Sequence, residues 1–344
     1  MIIDVHGHYT TEPQPLLAFR DKQLAGLADP MRKPAIGKSD ELGISDEQLM
    51  KSVEPQMKLQ KERGSDLTIF SPRAAGMAHH VGTEETGIVW TRMSNDLIHR
   101  VCTLLPGNFA PVGQLPQHPG VPPKNCIPEL ERLAKLGFLG VNLNPDPAGG
   151  YWTDPPLTDK WWYPLYEKLV ELEMTAMIHV TSSCNPVFHY TGAHYINGDT
   201  TAFMQLIQGN LFKDFPALKF VIPHGGGAVP FHWGRYRGLA QEMKKPLLKD
   251  HLLGNVFFDT CVYHLPGIEL MAKVIPVDNI LFASEMLGAV KGVDPETGHN
   301  YDDTKRYIDK LAMSDSDKNK IFEGNARRVY PRLDKRLKAM KEKR

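Results

Sequence analysis

The sequence predicts an α/β fold, a (β/α)8 (TIM) barrel, with residues 1–344 as one domain. Three observations predict it. Eight short apolar runs recur along the chain, each followed by a helical stretch, and strands alternating with helices argue for a parallel sheet. No shift of composition marks a linker between two domains. Polar residues suited to chemistry stand at the ends of most of these runs, where such barrels carry their working groups.

The first run reads Ile-Ile-Asp-Val-His-Gly-His from Ile2. Ile2, Ile3 and Val5 supply a buried strand, and the chain leaves it at His6. His6 and His8 are two apart, so in extended chain they project to one side. That makes them either half of a metal site, since neutral imidazole suits zinc and similar ions, or a pair of polar loop residues. Gly7 between them would let the backbone approach whatever they hold. Asp4, on the opposite face, suits the orientation of backbone groups.

Residues 11–43 carry Pro13, Pro15, Pro30 and Pro34 and little periodicity. They read as a long loop insertion after strand one. Ser45-Asp46-Glu47-Gln48 is a capping box, and one helix runs from it towards Arg63. The second run, 67–71, leads into Pro72-Arg73. Helix 84–105 precedes the run 110–115, and helix 129–136 precedes 140–143. Helix 161–173 opens on Trp161-Trp162-Tyr163, a core-packing cluster, and leads into 176–180. Helix 200–212 precedes 218–222, helix 235–244 precedes 255–259, and helix 268–274 precedes 279–283. Extra C-terminal helices close the chain, and the basic tail beyond Arg332 reads as a solvated helical face. A doubly wound open sheet shares this alternation. It lacks support, because no Gly-x-Gly-x-x-Gly follows the first run and Gly225-Gly226-Gly227 has neither the lysine nor the spacing of a phosphate loop.

Composition narrows the function. Hydrophobic residues are 42% and charged residues 23%, an ordinary globular balance. Lysine plus arginine and aspartate plus glutamate each total 40, so no global field points to nucleic acid or membrane, and an anionic ligand needs locally placed cations. Cys102, Cys126, Cys184 and Cys261 are scattered, with no Cys-x-x-Cys, which fits free thiols in a reducing compartment. A strand beginning at residue 2 leaves no expectation of a leader, and no apolar run approaches the ~20 residues that span a bilayer. The expectation is a cytoplasmic protein acting on a small molecule.

At the run ends stand His6 and His8, then Arg73, Asn142 and Asn144, His179, His224 and Glu285. In a barrel, histidines and a carboxylate from these ends converge on one face as a nitrogen- and oxygen-rich shell for a metal ion.

With those residues in place, the chain resembles the amidohydrolase superfamily. The likeness lies in His-x-His after strand one, His179 after strand five, Pro-His-Gly-Gly-Gly around His224 and an acid after strand eight. Within it, the chain is similar to the decarboxylase and hydratase branch, and most closely to hydratases of aromatic ring-cleavage products. The motifs are Met-Ile-Ile-Asp-Val-His-Gly-His-Tyr-Thr, Phe-Ser-Pro-Arg-Ala around Arg73, Asn-Leu-Asn-Pro-Asp-Pro from Asn142, and Thr-Gly-Ala-His-Tyr ending at Tyr195. Further ones are Phe-Ala-Ser-Glu-Met ending at Met286 and Glu-Gly-Asn-Ala-Arg-Arg-Val-Tyr-Pro from Glu323. The resemblance implies one Zn2+ per chain, held by His6, His8, His179 and Glu285. It also implies a homodimer, and a hydro-lyase adding water to a conjugated double bond of a tricarboxylate. Glu285 suits the role of base and His224 that of acid or stabiliser. Arg73 and Arg235 suit carboxylates, with Tyr195 and Asn142 as further donors. The alternative is a decarboxylase or carbon–carbon hydrolase on a related product; such relatives typically carry aspartate where Glu285 stands.

Several residues keep two readings. Arg235 is either a substrate cation or the partner of a loop carboxylate. His194 and His264 either line the site or pack beside it, and Cys184, five residues past His179, is a site group or a passive thiol. Asp302 and Asp303 read as an exposed helix start.

Overall fold

The computed structural model describes residues 1–26 and 42–342, the last few without their side chains. Eight strands form one sheet in chain order. They are β1 (Ile3–Tyr9), β2 (Leu67–Pro72), β3 (Phe109–Gln114), β4 (Gly140–Leu143), β5 (Thr175–Ile178), β6 (Phe220–Ile222), β7 (Val256–Asp259) and β8 (Ile280–Leu281). Every neighbouring pair is parallel. The last strand returns to the first through Val5 N–H to Phe282 O at 2.9 Å and Glu285 N–H to His6 O at 3.0 Å. The expected (β/α)8 barrel is what the chain forms.

All residues of these strands are buried, as a sheet covered on both faces requires. Ile3, Val5, Leu67, Ile69, Val221, Phe257 and Leu281 fill the barrel. Their strand neighbours, such as Phe70, Phe220, Phe258 and Phe282, pack outward against the helices. Each such fully buried side chain is worth about 1.5–3 kcal/mol against exposure.

β1 departs from strict alternation. Ile3 and Val5 face inward, so an unbroken strand would turn His6 outward. Its pairing with β2 slips between Asp4 and Gly7, and Asp4 accepts the His6 backbone N–H at 3.1 Å. The slip resets the phase and brings His6 and His8 to the barrel axis. Gly7 serves the strand contact: a Cβ there would lie 2.2 Å from Thr68 Cγ2. Close packing of β1 on β2 therefore requires a glycine at this position.

Three sequence expectations are corrected. The insertion after β1 contains a helix, Gln14–Gly26; its poor amphipathic pattern hid it, and residues 27–41 lie outside the described residues. The helix from Ser45 is two helices, Asp46–Ser52 and Glu54–Arg63. The break falls at Val53 because Pro55 has no N–H to continue the ladder. The basic tail forms the helix Pro331–Glu342 and is not simply solvated. Leu333 and Leu337 are buried with Tyr330 against the barrel interior. Arg332 donates to the carbonyls of Ala134, Phe138 and Leu172, and Arg336 to those of Cys102 and Phe109. These arginines neutralise helix ends at the N-terminal mouth of the barrel. The Trp161-Trp162-Tyr163 cluster does pack: Trp162 is fully buried. Among the described residues, no helix is long and apolar enough to cross a membrane.

Candidate metal centre and active site

Four imidazoles meet at the C-terminal end of the barrel. His6 and His8 come from β1, and His179 directly follows β5. His224 follows β6 and Pro223. His6 Nε2 and His8 Nε2 are 2.9 Å apart, and His8 Nε2 and His179 Nε2 are 3.3 Å apart. The His224 ring centroid lies 5.3 Å from that of His6 and 5.0 Å from that of His179. One ligand atom from each of His6, His179, His224 and Glu285 falls within a 4.8 Å cluster. All five side chains are buried.

The outward nitrogen of each ring is held. His6 Nδ1 meets Asp259 at 2.7 Å, His8 Nδ1 meets Ser71 Oγ at 2.8 Å, His179 Nδ1 meets Val180 O at 2.6 Å, and His224 Nδ1 meets Asp199 at 2.8 Å. In a neutral ring, an acceptor on Nδ1–H places the Nε2 lone pair inward. Burial first, then the neighbouring histidines, pushes His8 and His179 well below the ordinary imidazole range, so both are neutral. Two unprotonated nitrogens facing each other in the interior repel. A divalent cation is what such a donor set fits. Among the described residues, His224 Nε2 is also buried without a hydrogen-bond partner.

His224 differs in charge. Burial works against its protonation, but the charge and hydrogen bond of Asp199 outweigh it and raise its pKa to about 9. Its backbone is in the left-handed region (φ 53), as is that of Glu285 (φ 48). Conformations of this kind cost a non-glycine residue of order 1–3 kcal/mol and gather where geometry serves a site. The glycines after His224 give that turn room: a Cβ at Gly226 would lie 2.6 Å from Phe258 Cδ1.

Glu285 is fixed along its length. Its N–H donates to His6 O, and the Tyr263 phenol donates to its carboxylate. Burial, then the charge of Glu285, pushes that phenol well above the usual range, so it stays a donor. The preceding Ser284 hydroxyl donates to Asp4, which gives Asp4 the orienting role expected of it. Asp302 is buried, not exposed: it accepts Leu287 N–H at 2.9 Å and pairs with Arg63 at 2.8 Å.

The expected substrate groups divide. Arg73 is half-buried at the end of β2, with no ion-pair partner for its guanidinium among the described residues. Its charge is felt at both His8 and Tyr195. Tyr195 packs against His179 and His224, with ring centroids 5.0 and 5.5 Å away. Asn142 is buried and donates to Ser71 Oγ at 3.1 Å, which braces His8. Asn144 turns to His79 and Thr181. Arg235 is exposed on the helix Trp233–Glu242 and, among the described residues, has neither an ion pair nor a place in the cluster. His194 packs on Phe188, His264 bonds the Val262 carbonyl, and Cys184 is an exposed thiol beside backbone carbonyls.

Four residues of the site were not singled out from sequence: Asp259, Asp199, Ser71 and Tyr263. Asp259 ends the seventh apolar run, so the strand-end rule reaches it. Ser71 ends the second in the same way. Asp199 and Tyr263 carry no local signal.

A barrel whose strand ends gather histidines and a carboxylate able to hold a metal ion defines the class of scaffold, and the amidohydrolase family model matches residues 3–332. The chain belongs to the amidohydrolase family. It is similar to a 2-keto-4-carboxy-3-hexenedioate hydratase of Sphingobium sp., 57% identical over 341 residues and 98% of each chain. It is also similar to the crystal structure of a 4-oxalomesaconate hydratase from Rhodopseudomonas palustris, with TM-score 0.91, 60% identity and 99% of each chain covered. A dihydroxybenzoic acid decarboxylase from Polaromonas sp. JS666, solved with bound manganese, shares the fold at TM-score 0.69 and 19% identity, over 96% of each chain.

Proposed function

We propose that this protein is a zinc-dependent hydro-lyase of bacterial aromatic-compound breakdown. It adds water to the conjugated double bond of 4-oxalomesaconate to give 4-carboxy-4-hydroxy-2-oxoadipate. The observation that carries this reading is the buried set of inward-facing imidazoles with Glu285 beside them, in a chain so similar to hydratases over its whole length.

His6, His8, His179 and Glu285 would hold a divalent ion, which would supply Lewis acidity towards water and a substrate oxygen. The rest of the chemistry falls to the chain. Arg73 binds a substrate carboxylate, with Tyr195 as a neighbouring donor, and so orients the alkene over the imidazoles. Glu285 accepts a proton from water as its oxygen bonds to C4. The alkene electron pair moves towards C3 and the C2 carbonyl oxygen, giving an enolate. His224, kept protonated by Asp199, faces that developing charge and gives its proton to C3, and the proton taken by Glu285 restores the imidazolium. Atoms balance as the addition of one water.

Purified protein mixed with 4-oxalomesaconate should abolish the conjugated absorbance without releasing carbon dioxide. Release of carbon dioxide would favour the decarboxylase alternative. Glu285→Gln should lower turnover by about 10²–10⁴, as removal of a general base does.

A further inference from the structure

We infer that Tyr263 is a positioning residue for Glu285: its phenol takes one carboxylate oxygen, so that the other is directed at the imidazole cluster. The inference rests on the reading of Glu285 as ligand and base, and adds what holds it there.

Glu285 sits in a left-handed turn, so its backbone alone leaves a flexible side chain to be aimed. The backbone is pinned on both sides. Glu285 N–H donates to His6 O at 3.0 Å, and Leu287 N–H donates to Asp302 at 2.9 Å. Among the described residues, the side chain has one hydrogen-bond donor, the Tyr263 hydroxyl on Oε2.

Tyr263 is itself in the left-handed region (φ 64). The ends of β7 and β8 that carry the two residues are stitched together. Thr260 Oγ1 donates to Ala283 O at 3.0 Å and accepts from Ala283 N–H at 2.8 Å. The space for the glutamate stem is also specific: a Cβ at Gly288 would lie 2.6 Å from Glu285 Cγ. Phenol and glycine together confine the glutamate side chain between the two strand ends.

The test compares the parent, Tyr263→Phe, Glu285→Gln and the double variant. It reads kcat and KM on 4-oxalomesaconate at saturating zinc, and zinc affinity by competition with a chromophoric chelator. Melting temperatures confirm folding. Removing a group that orients a metal ligand typically costs about 10–100-fold in affinity or activity. Tyr263→Phe should therefore lose kcat and zinc affinity on that scale, with KM within about threefold. It should add nothing to Glu285→Gln in either readout. Parent-like kcat and zinc affinity in Tyr263→Phe would overturn the inference. So would losses of equal size in both backgrounds, since those would not pass through the carboxylate. If Glu285→Gln itself keeps the parent rate, the base role falls, and zinc affinity alone decides the positioning role.

Discussion

His224 Nδ1 lies 2.8 Å from an Asp199 carboxylate oxygen, although the two residues are 25 positions apart. The helix Tyr195–Gln208 carries Asp199 against the turn after β6. Both side chains are buried, so the carboxylate acts on the ring with little competition from water. It fixes the Nδ1 proton and favours imidazolium, which leaves Nε2 as a donor towards the cluster.

Asp199→Asn should therefore separate orientation from charge. The amide oxygen still accepts from Nδ1–H, but the negative charge is gone. The sign follows from the cause. Asp199 raises the pKa of His224 to about 9, so protonated His224 is present below that pH and lost above it. Without the charge the loss moves to lower pH. The alkaline limb of the kcat profile should shift downward by about a unit or more, with zinc content unchanged. A profile identical to the parent's would remove His224 from the rate-limiting proton chemistry.

Metal content offers a second check. Each chain should carry one tightly held divalent ion, and strong chelation should abolish activity until zinc is restored. His6→Ala should lose metal and activity together, because it leaves Asp259 buried without its imidazole partner as well as deleting a ligand. Elemental analysis alongside turnover decides this. An active, metal-free protein would refute it.

Arg73 should act through binding of the substrate. A buried contact between a guanidinium and a carboxylate costs roughly 2–5 kcal/mol when truncated. Arg73→Met should lower kcat/KM accordingly, with metal content and melting temperature near those of the parent. Arg235→Met, by contrast, should be close to silent, since Arg235 is exposed and outside the cluster. Steady-state kinetics on both variants would expose a reversed assignment.

Leu333 tests the closure of the barrel floor. It is fully buried among interior residues, and leucine-to-alanine changes at such positions cost about 2–5 kcal/mol. Leu333→Ala should unfold at lower denaturant concentration while the folded fraction keeps its kcat. An unchanged midpoint would mean that the closing helix does not seal the core.

Much of this was legible in the chain because two periodicities survive in it. Apolar runs such as 67–71 and 255–259 mark strands, and the ends of those runs mark the face where the imidazoles gather. That rule reaches His6, His8, His179, His224 and Glu285 without knowledge of their contacts. It reaches Asp259 and Ser71 as well, which serve the site by holding rings. It does not reach Asp199 or Tyr263, whose roles arise only when a helix or loop folds back on a distant strand end. The packing role of Gly7 is hidden for the same reason: its neighbour is Thr68 across the sheet. The closing helix is hidden by its charges, because Arg332 and Arg336 spend them on buried carbonyls. Arg235 reads as a binding group only if its helix turns it inward, and the helix leaves it exposed.

Addition of water to an alkene by the imidazole and glutamate cluster, with no carbon–carbon bond broken, is read most directly by mass spectrometry of the product formed from 4-oxalomesaconate in 18O-labelled water. One product is expected, retaining all three carboxylates and carrying a single labelled hydroxyl at C4. Loss of carbon dioxide, or two smaller fragments, would contradict it.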